Sequence, residues 1–325
     1  MYKSKGLKNI SIQKVKDYFI ENKYATKNQI AEETHLSHAT ITNILKELLE
    51  NQFIVRVEDC ESTGGRKAKQ YKICGSFMSF GLIDLRVQNQ MIHVECQIVD
   101  LDFVIIERLK YQFDTLDLNM LTHLIQEINE KHHIQYLGMS LPAIVANGKI
   151  EKSDIESLDG VELQKHIESV CGIHTRIEND VNTVMLGYIH THVIESQSIA
   201  FVYQPDNHHS GCGLYINNSI LYGATHFAGE LAYLPNGTLE EQEKLLKNEP
   251  LSLLVKQVAS IIAIINPSLL ILYTPCVEKT AFLEAIQKCI PIQHLPEFQF
   301  INEMESYVFE GLSSLCIESS RYQRK

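Results

Sequence analysis

No two of the eight cysteines (Cys60, Cys74, Cys96, Cys171, Cys212, Cys276, Cys289 and Cys316) stand in a C-x-x-C spacing. That excludes a compact zinc knuckle or a dithiol redox motif. The start "YKSKGLKNIS" lacks an apolar core region, so no signal peptide is expected. Scattered thiols without a secretion signal fit a reducing cytoplasm, which is the expected localisation. No apolar run is long enough to cross a bilayer: "VASIIAIINPSLLILY" comes nearest and is broken by Asn266-Pro267, so no membrane partner is expected. What is present is 45% hydrophobic and 21% charged residues over 325 positions. This is an ordinary globular mixture with length for two or three domains and ample core.

The formal net charge of -11 is unevenly spread. Met1 to Ile73 holds 13 Lys/Arg against 9 Asp/Glu, a net of +4, and the remainder holds 16 against 31, a net of -15. A basic end on an acidic body suggests one module that meets polyanions and one that does not. Within the basic end, Ile12, Val15, Phe19 and Ile20 recur at helical spacing over residues 10–22. Thr26 with Gln29 three residues later is a capping-box signature, so a second, short helix starts there and ends near His35. Ser37 is the N-cap expected for a third helix, with Ile41, Ile44, Leu45 and Leu48 on one face. A short helix, a tight connection and a helix whose outer face is small and polar form a helix-turn-helix pattern. Ser37, His38, Ala39, Thr40, Thr42, Asn43 and Lys46 are its candidate DNA-contacting residues: hydroxyls and amide for base edges, Ala39 for a thymine methyl, Lys46 for phosphate.

After the third helix, Phe53, Val55 and Val57 alternate with Ile54, Arg56 and Glu58 as in a strand, and "KQYKI" returns as a second. Between them lies "ESTGGRKA". Gly64 and Gly65 allow a sharp turn close to a duplex, Arg66 suits the minor groove or a phosphate, and Lys67 and Lys69 add backbone charge. Three helices followed by a basic glycine-rich hairpin predict a winged helix-turn-helix over 1–75.

The body, 76–325, alternates strands and helices, hence α/β. Strands are predicted in "SFGLIDLRV", on both sides of a turn at Asp100–Asp102, in "IQYLGMSLPAIVANGKI" (running into a loop), in "SIAFVYQ", in "CGLYINNSILYG" and after Pro267. Helices are predicted in "LNMLTHLIQEINEKH" with Leu121, Ile125 and Ile128 inward, in "VELQKHIESVCG", and in the apolar segment ending at Asn266.

In this order the chain resembles the repressor branch of the ROK family (repressors, open reading frames and sugar kinases), the xylose- and N-acetylglucosamine-repressor-like members. "LSHATITNILKELLENQFI" and "ESTGGRKAKQYKI" resemble that branch's DNA-binding head. "GMSLPAIV" is similar to its Pro-Gly strand end, "IENDVNTVMLG" to its hinge motif, and "SGCGLYINNSILYGATHFAGELAYL" to its glycine strand pair and sugar loop. The resemblance implies a winged helix-turn-helix ahead of a two-lobed actin/hexokinase-like (ribonuclease H-like) body. Lobe one would run over about 76–180 plus the C-terminal helix, and lobe two over about 181–304. It further implies a homodimer on double-stranded DNA, and an effector site at Asn179, Asp180, Glu230 and Tyr233, the last standing where the family has His.

The departures from the family are specific. Asp84-Leu85-Arg86-Val87 replaces an Asp-x-Gly-Gly-Thr phosphate loop, whose backbone amides need glycine to approach ATP. Ser210-Gly211-Cys212-Gly213 is a reduced second loop, and Leu272-Tyr273-Thr274 replaces a late Gly-Gly. "PNGTLEEQEKLLKNEPLS" has no Cys or His where a zinc loop is implied, so neither a metal nor another cofactor is expected. The expected function is a transcription regulator, most plainly a repressor of carbohydrate genes, and not an enzyme. Three alternatives stay open. The cleft binds a sugar or sugar phosphate, or its acids merely cap a helix and tie a loop. The chain is a sugar kinase with a fused head. The body senses a protein partner.

Overall fold

The structure is a computed structural model that describes residues 2–22, 24–57, 69–192, 194, 198–206 and 209–322. Two compact units emerge: residues 1–79 with the turn 100–104, and residues 80–99 with 105–325.

The first unit opens with helix α1 (Tyr2–Asn22), strand β1 (Tyr24–Thr26), helices α2 (Lys27–Thr34) and α3 (His38–Glu50), and strands β2 (Ile54–Val57) and β3 (Gln70–Ile73). Helix α1 begins eight residues earlier than its apolar spacing indicates, and Lys8 is tied to Glu47 of α3 at 2.8 Å. Thr26 and Gln29 form the expected capping box, and Ser37 Oγ accepts the Thr40 amide. His35, at φ 56, ends α2 in the left-handed region and makes the turn between the two helices. Val15, Phe19, Ile30, Ile41, Ile44, Leu45 and Leu48 are buried together as the core of this unit. Each such side chain contributes roughly 1.5–3 kcal/mol on burial. Strand β3 is central, antiparallel to both β1 and β2. The short β1 was not evident from the sequence, because three residues carry no period. Lys72 pairs with Asp102 at 2.5 Å, and the Leu101 amide donates to the Gly75 carbonyl, which is why 100–104 belongs to this unit.

The second unit carries two five-stranded sheets. The first has β4 (Ser79–Gln88), β5 (Met91–Asp100), β6 (Ile105–Phe113), β7 (Ile134–Leu141) and, after the small hairpin β8 (Ala143–Ala146) and β9 (Lys149–Ser153), β10 (His174–Asn179). Helices α4 (Leu118–His132) and α5 (Leu163–Cys171) cover it, and α6 (Asp180–Thr191) leads out of β10. The second sheet has β11 (Ser198–Tyr203), β12 (Gly211–Ile216), β13 (Ser219–Ile220), β14 (Leu269–Tyr273) and β15 (Glu297–Phe300), with helices α7 (Leu239–Asn248), α8 (Pro250–Ile265) and α9 (Lys279–Cys289), while α10 (Glu305–Tyr322) returns to pack on β7, β10 and α6.

Strand orders are β10-β7-β4-β5-β6 and β13-β12-β11-β14-β15. Read from the first strand of each sheet, both follow one pattern: two strands added outward on one side, then two on the other. One fold unit is thus repeated, as an actin-like or ribonuclease H-like body requires. Parallel pairs (β7 with β10, β11 with β14, β14 with β15) lie where helices intervene in sequence, and antiparallel pairs where turns suffice. Asn147-Gly148 (φ 53 and 79) turns the β8–β9 hairpin. This hairpin corrects the expectation of a plain loop after Leu141; Asn-Gly after the apolar run Ala143–Ala146 was its signal. Separate apolar clusters fill the two lobes, one around Ile83, Leu121, Ile125 and Met139, the other around Val202, Leu254, Val258 and Leu270. No helix among the described residues is long and apolar enough to cross a membrane.

Helix α10 packs along α6 at very short range. A β-carbon on Gly187 would lie 1.8 Å from the Tyr307 carbonyl oxygen, and one on Gly311 would lie 2.0 Å from that of Thr183. Backbone cannot yield as a side chain can, so Gly311→Val is expected to destabilise this unit by about 3 kcal/mol. Thermal and denaturant melts of the full chain check this, and a variant as stable as the parent contradicts it.

Candidate functional site

On the first unit, α3 buries Ile41, Ile44, Leu45 and Leu48 and leaves Ser37, His38, Ala39, Thr42, Asn43 and Lys46 exposed, with Thr40 half-buried. Asn43 and Ala39 face outward one turn apart. Thr42 is less free than its exposure implies: its hydroxyl donates to the His38 carbonyl at 2.6 Å and accepts from Lys27 Nζ. Thr40 shares a 2.9 Å hydrogen bond with the Ser37 hydroxyl, and Lys46 lies 3.8 Å from Glu50. Lys69 is exposed at the entry to β3. Gly64, Gly65, Arg66 and Lys67 lie outside the described residues.

In the second unit, the end of β10 and the start of α6 form one wall of a cleft. Asn179 is the N-cap of α6. Its Oδ1 accepts the Asn182 amide at 3.1 Å, and its Nδ2 donates to the Ala143 carbonyl at 3.0 Å. Glu178 accepts three donors: the Asn179 amide (2.9 Å), Asn182 Nδ2 (3.0 Å) and Tyr222 Oη (2.6 Å). The opposite wall is the segment Tyr222–Glu230. Gly229, at φ 96, presses so close to β12 that a β-carbon would lie 1.8 Å from the Cys212 carbonyl oxygen, and its own carbonyl accepts the Cys212 amide at 3.0 Å. That contact fixes Glu230. Ala143, Ile144, Val145, Glu178, Asn179, Tyr222, His226 and Glu230 are among the residues around a cavity of about 30 Å³.

Asp180 sits in the first turn of α6, with Oδ1 accepting the Val181 amide at 2.9 Å. Some of its surface is accessible, but protein surrounds it. Burial pushes its pKa up to about 7, against the pull of the Val181 amide and with Asp154, Asp84 and Glu230 adding repulsion. Glu230 is raised as well, by burial and then by Asp154. Asn179 and Glu230 both line the cavity; Asp180 is not among its lining residues but lies close enough to Glu230 to be repelled by it. Tyr233 stands apart: it is 61% exposed, stacks on Phe227 at 4.9 Å, and is absent from the cavity lining. Glu178, Tyr222 and His226 were missed as site residues. Glu178 stood inside a motif read for its neighbours, and the other two lie on a loop with no period to report their direction.

Residues 91–244 match the model described as the ROK family. Just under half of the chain thus matches a ROK family domain. No curated protein matches the sequence. Among solved structures the chain is similar to a ROK family transcriptional regulator, a homologue of the E. coli MLC protein, at 15% identity and a TM-score of 0.64 over 96% of this chain and 97% of that one. It is similar to a ROK hexokinase from Thermus thermophilus at 14% identity and a TM-score of 0.58, over 75% of this chain and all of that one. It is also similar to a ROK family glucokinase from Streptomyces griseus in complex with glucose and AMPPNP, at 13% identity and a TM-score of 0.55, over 74% and 99%. At these identities the likeness shows the fold: an α/β ROK body behind an N-terminal head.

In this ROK body the first strand holds no phosphate loop. Leu85 is fully buried, and β4 turns straight into β5 through Asn89-Gln90, both at positive φ (52 and 64). Arg86 reaches Asp84 (2.9 Å), Glu95 (3.1 Å) and Glu305 (2.9 Å). Asp84 is 2% exposed, and burial raises its pKa to about 6 although Arg86 pulls it down. Where the late Gly-Gly is implied, Leu272 is core and Tyr273 stacks on Tyr203 at 5.6 Å. Where zinc is implied, Thr238 and Glu241 form a capping box and start α7, with no sulfur or imidazole in the segment. That donor set does not fit zinc. Among the described residues no group of three His, Cys, Asp or Glu side chains could hold a metal ion.

Asp180 gives a pH signature. Its folded pKa is raised, so the folded state holds this proton where the unfolded chain, near 3.8, has lost it. Stability from this group therefore falls as pH rises from about 4 to about 7, and the full cost is present above that. Asp180→Asn, which keeps the Val181 hydrogen bond, is expected to raise stability at pH 8 by about 2–4 kcal/mol and to leave it unchanged near pH 4. Melts of both chains across this range check it; a constant difference at all pH values contradicts it.

Proposed function

We propose that this protein is a DNA-binding transcription regulator, a repressor of carbohydrate genes that responds to a sugar-derived effector in the cleft. The observation that carries this reading is the pair α2–α3. A capping box, a left-handed turn at His35 and a Ser37 cap hold α3 so that Ala39, Asn43 and Lys46 lie outside the core on a basic unit. A helix held in this way is sized for the major groove. The kinases similar to this chain match only about three quarters of it while being matched almost whole, whereas the regulator is matched end to end. The extra quarter corresponds in size to the head. The reading that the body is not a kinase is supported by Leu85, buried in the core, and Arg86, held by three carboxylates, at the sequence position where the family's phosphate loop has glycine.

A homodimer is the fitting assembly, because helix-turn-helix modules read paired half-sites. An effector acts by binding two body conformations unequally. A differential of about 1–3 kcal/mol changes operator affinity roughly 5- to 150-fold. Asn179, Asp180 and Glu230 would hold its hydroxyls, since carboxylates and amides in a cleft suit a polyol.

Selected operator duplexes, obtained by binding-site selection with the full chain, test the DNA reading. Asn43→Ala is expected to cost about 1–3 kcal/mol at one base pair and to relax preference there. Affinity is expected to fall steeply with salt as phosphate contacts release counterions. A chain that selects no sequence, or an Asn43→Ala chain with an unchanged footprint and unchanged preference, overturns it.

A further inference from the structure

The segment Tyr222–Glu230 carries a feature that a helix cap and a loop tie do not explain. His226 holds φ 59, a conformation that a β-carbon disfavours. Its ring leans on Tyr222 at 4.8 Å, and Tyr222 in turn donates to Glu178. His226 Nδ1 is buried and has no hydrogen-bond partner among the described residues, although it borders the cavity. A buried, unpaired ring nitrogen is costly to maintain. Held there at the expense of backbone comfort, it presents one unused hydrogen-bonding position to whatever fills the cleft.

The charge around that position is one-sided. Glu178 and Glu230 line the cavity, Asp180 and Asp154 lie close enough to perturb Glu230 or each other, and neither Lys nor Arg is among the lining residues. Sites built for phosphate esters supply Arg, Lys or a helix N-terminus. Among the described residues the helix N-terminus at this cavity is that of α6, and it is already taken by Asn179 and Asp180. The cavity, about 30 Å³, has room for roughly two waters rather than a sugar ring. The loop must therefore move when a ring enters, and the Tyr222–Glu178 hydrogen bond is the contact that a ligand hydroxyl would replace.

We propose that His226, backed by Tyr222, is a specificity-determining residue of this cleft, sharing a hydrogen bond with an uncharged or cationic polyol while the surrounding carboxylates reject phosphorylated sugars. This rests on the effector reading above. It narrows that reading from sugars and sugar phosphates together to the unphosphorylated class.

Titration calorimetry of the full chain with glucose, xylose, glucosamine, N-acetylglucosamine and the 6-phosphates of glucose and N-acetylglucosamine tests it. At least one unphosphorylated sugar is expected to bind, with a phosphorylated counterpart about 100-fold weaker or worse. His226→Gly, whose backbone suits φ 59, is expected to bind that sugar about 10-fold more weakly while melting no lower than the parent. His226→Gln is expected to recover part of the loss. A 6-phosphate that binds as tightly as its parent sugar overturns the proposal. So does a sugar that is lost in Glu230→Gln but held equally by His226→Gly and the parent; that result leaves the effector reading standing. A panel with no binding to the parent chain overturns both.

Discussion

One guanidinium organises the body. Arg86 extends from β4 and holds Asp84 on its own strand, Glu95 on β5 and Glu305 in the first turn of α10. Asp84 and Glu95 are both buried, so without Arg86 two carboxylates would face each other with little solvent and only the exposed Lys110, 3.3 Å from Glu95, to offset them. Breaking such a cluster costs about 3–5 kcal/mol, because the penalty is an uncompensated buried charge rather than a lost attraction. Arg86 pulls the Asp84 pKa down, yet burial still leaves it near 6, so the cluster only partly offsets its own desolvation. It also fixes the start of α10, and α10 lies against α6 with backbone touching backbone at Gly187 and Gly311. The side chain in the place of a phosphate loop is thus linked through α10 to α6, whose N-cap Asn179 lines the cleft.

That arrangement separates two requirements of phosphoryl transfer. A carboxylate with a pKa near neutrality is what a general base needs, and Asp180 has that property. What the proposed reading gives up is the other requirement, the glycine-rich backbone that brings a nucleotide's phosphates within reach. Leu85 lies in the core, β4 turns tightly into β5 at Asn89-Gln90, and the stretch from Asp84 to Met91 holds no glycine. A cleft with acceptors and no phosphate cradle can bind a polyol and change shape, which is sufficient for a sensor.

Much of this was legible in the sequence, for identifiable reasons. The head could be read from caps: Thr26/Gln29 and Ser37 act over three residues and need no tertiary context, and they fold as read. Long periodic helices such as α4 and α8, and the strands flanking Asp100–Asp102, were evident for the same reason. Asn179 caps α6 as its motif indicates, and Glu230 meets it across the cavity. The misses share a cause. Strand β1 and the β8–β9 hairpin are too short to show a period. Tyr233 was placed by analogy with the family's His, but the backbone of the Leu231–Tyr233 turn directs it outward onto Phe227. Tyr222 and His226 earn their positions from a loop conformation that includes three residues at positive φ, Gly223, His226 and Gly229, and no linear pattern encodes which way such a loop points.

Titration of MgATP into the full chain, with and without the sugars that bind it, measures most directly whether the Arg86 cluster has displaced the phosphate cradle. No saturable nucleotide binding up to millimolar concentration is expected in either case. A micromolar Kd for MgATP, tightened by sugar, would contradict this and would make the cleft the active site of a working kinase.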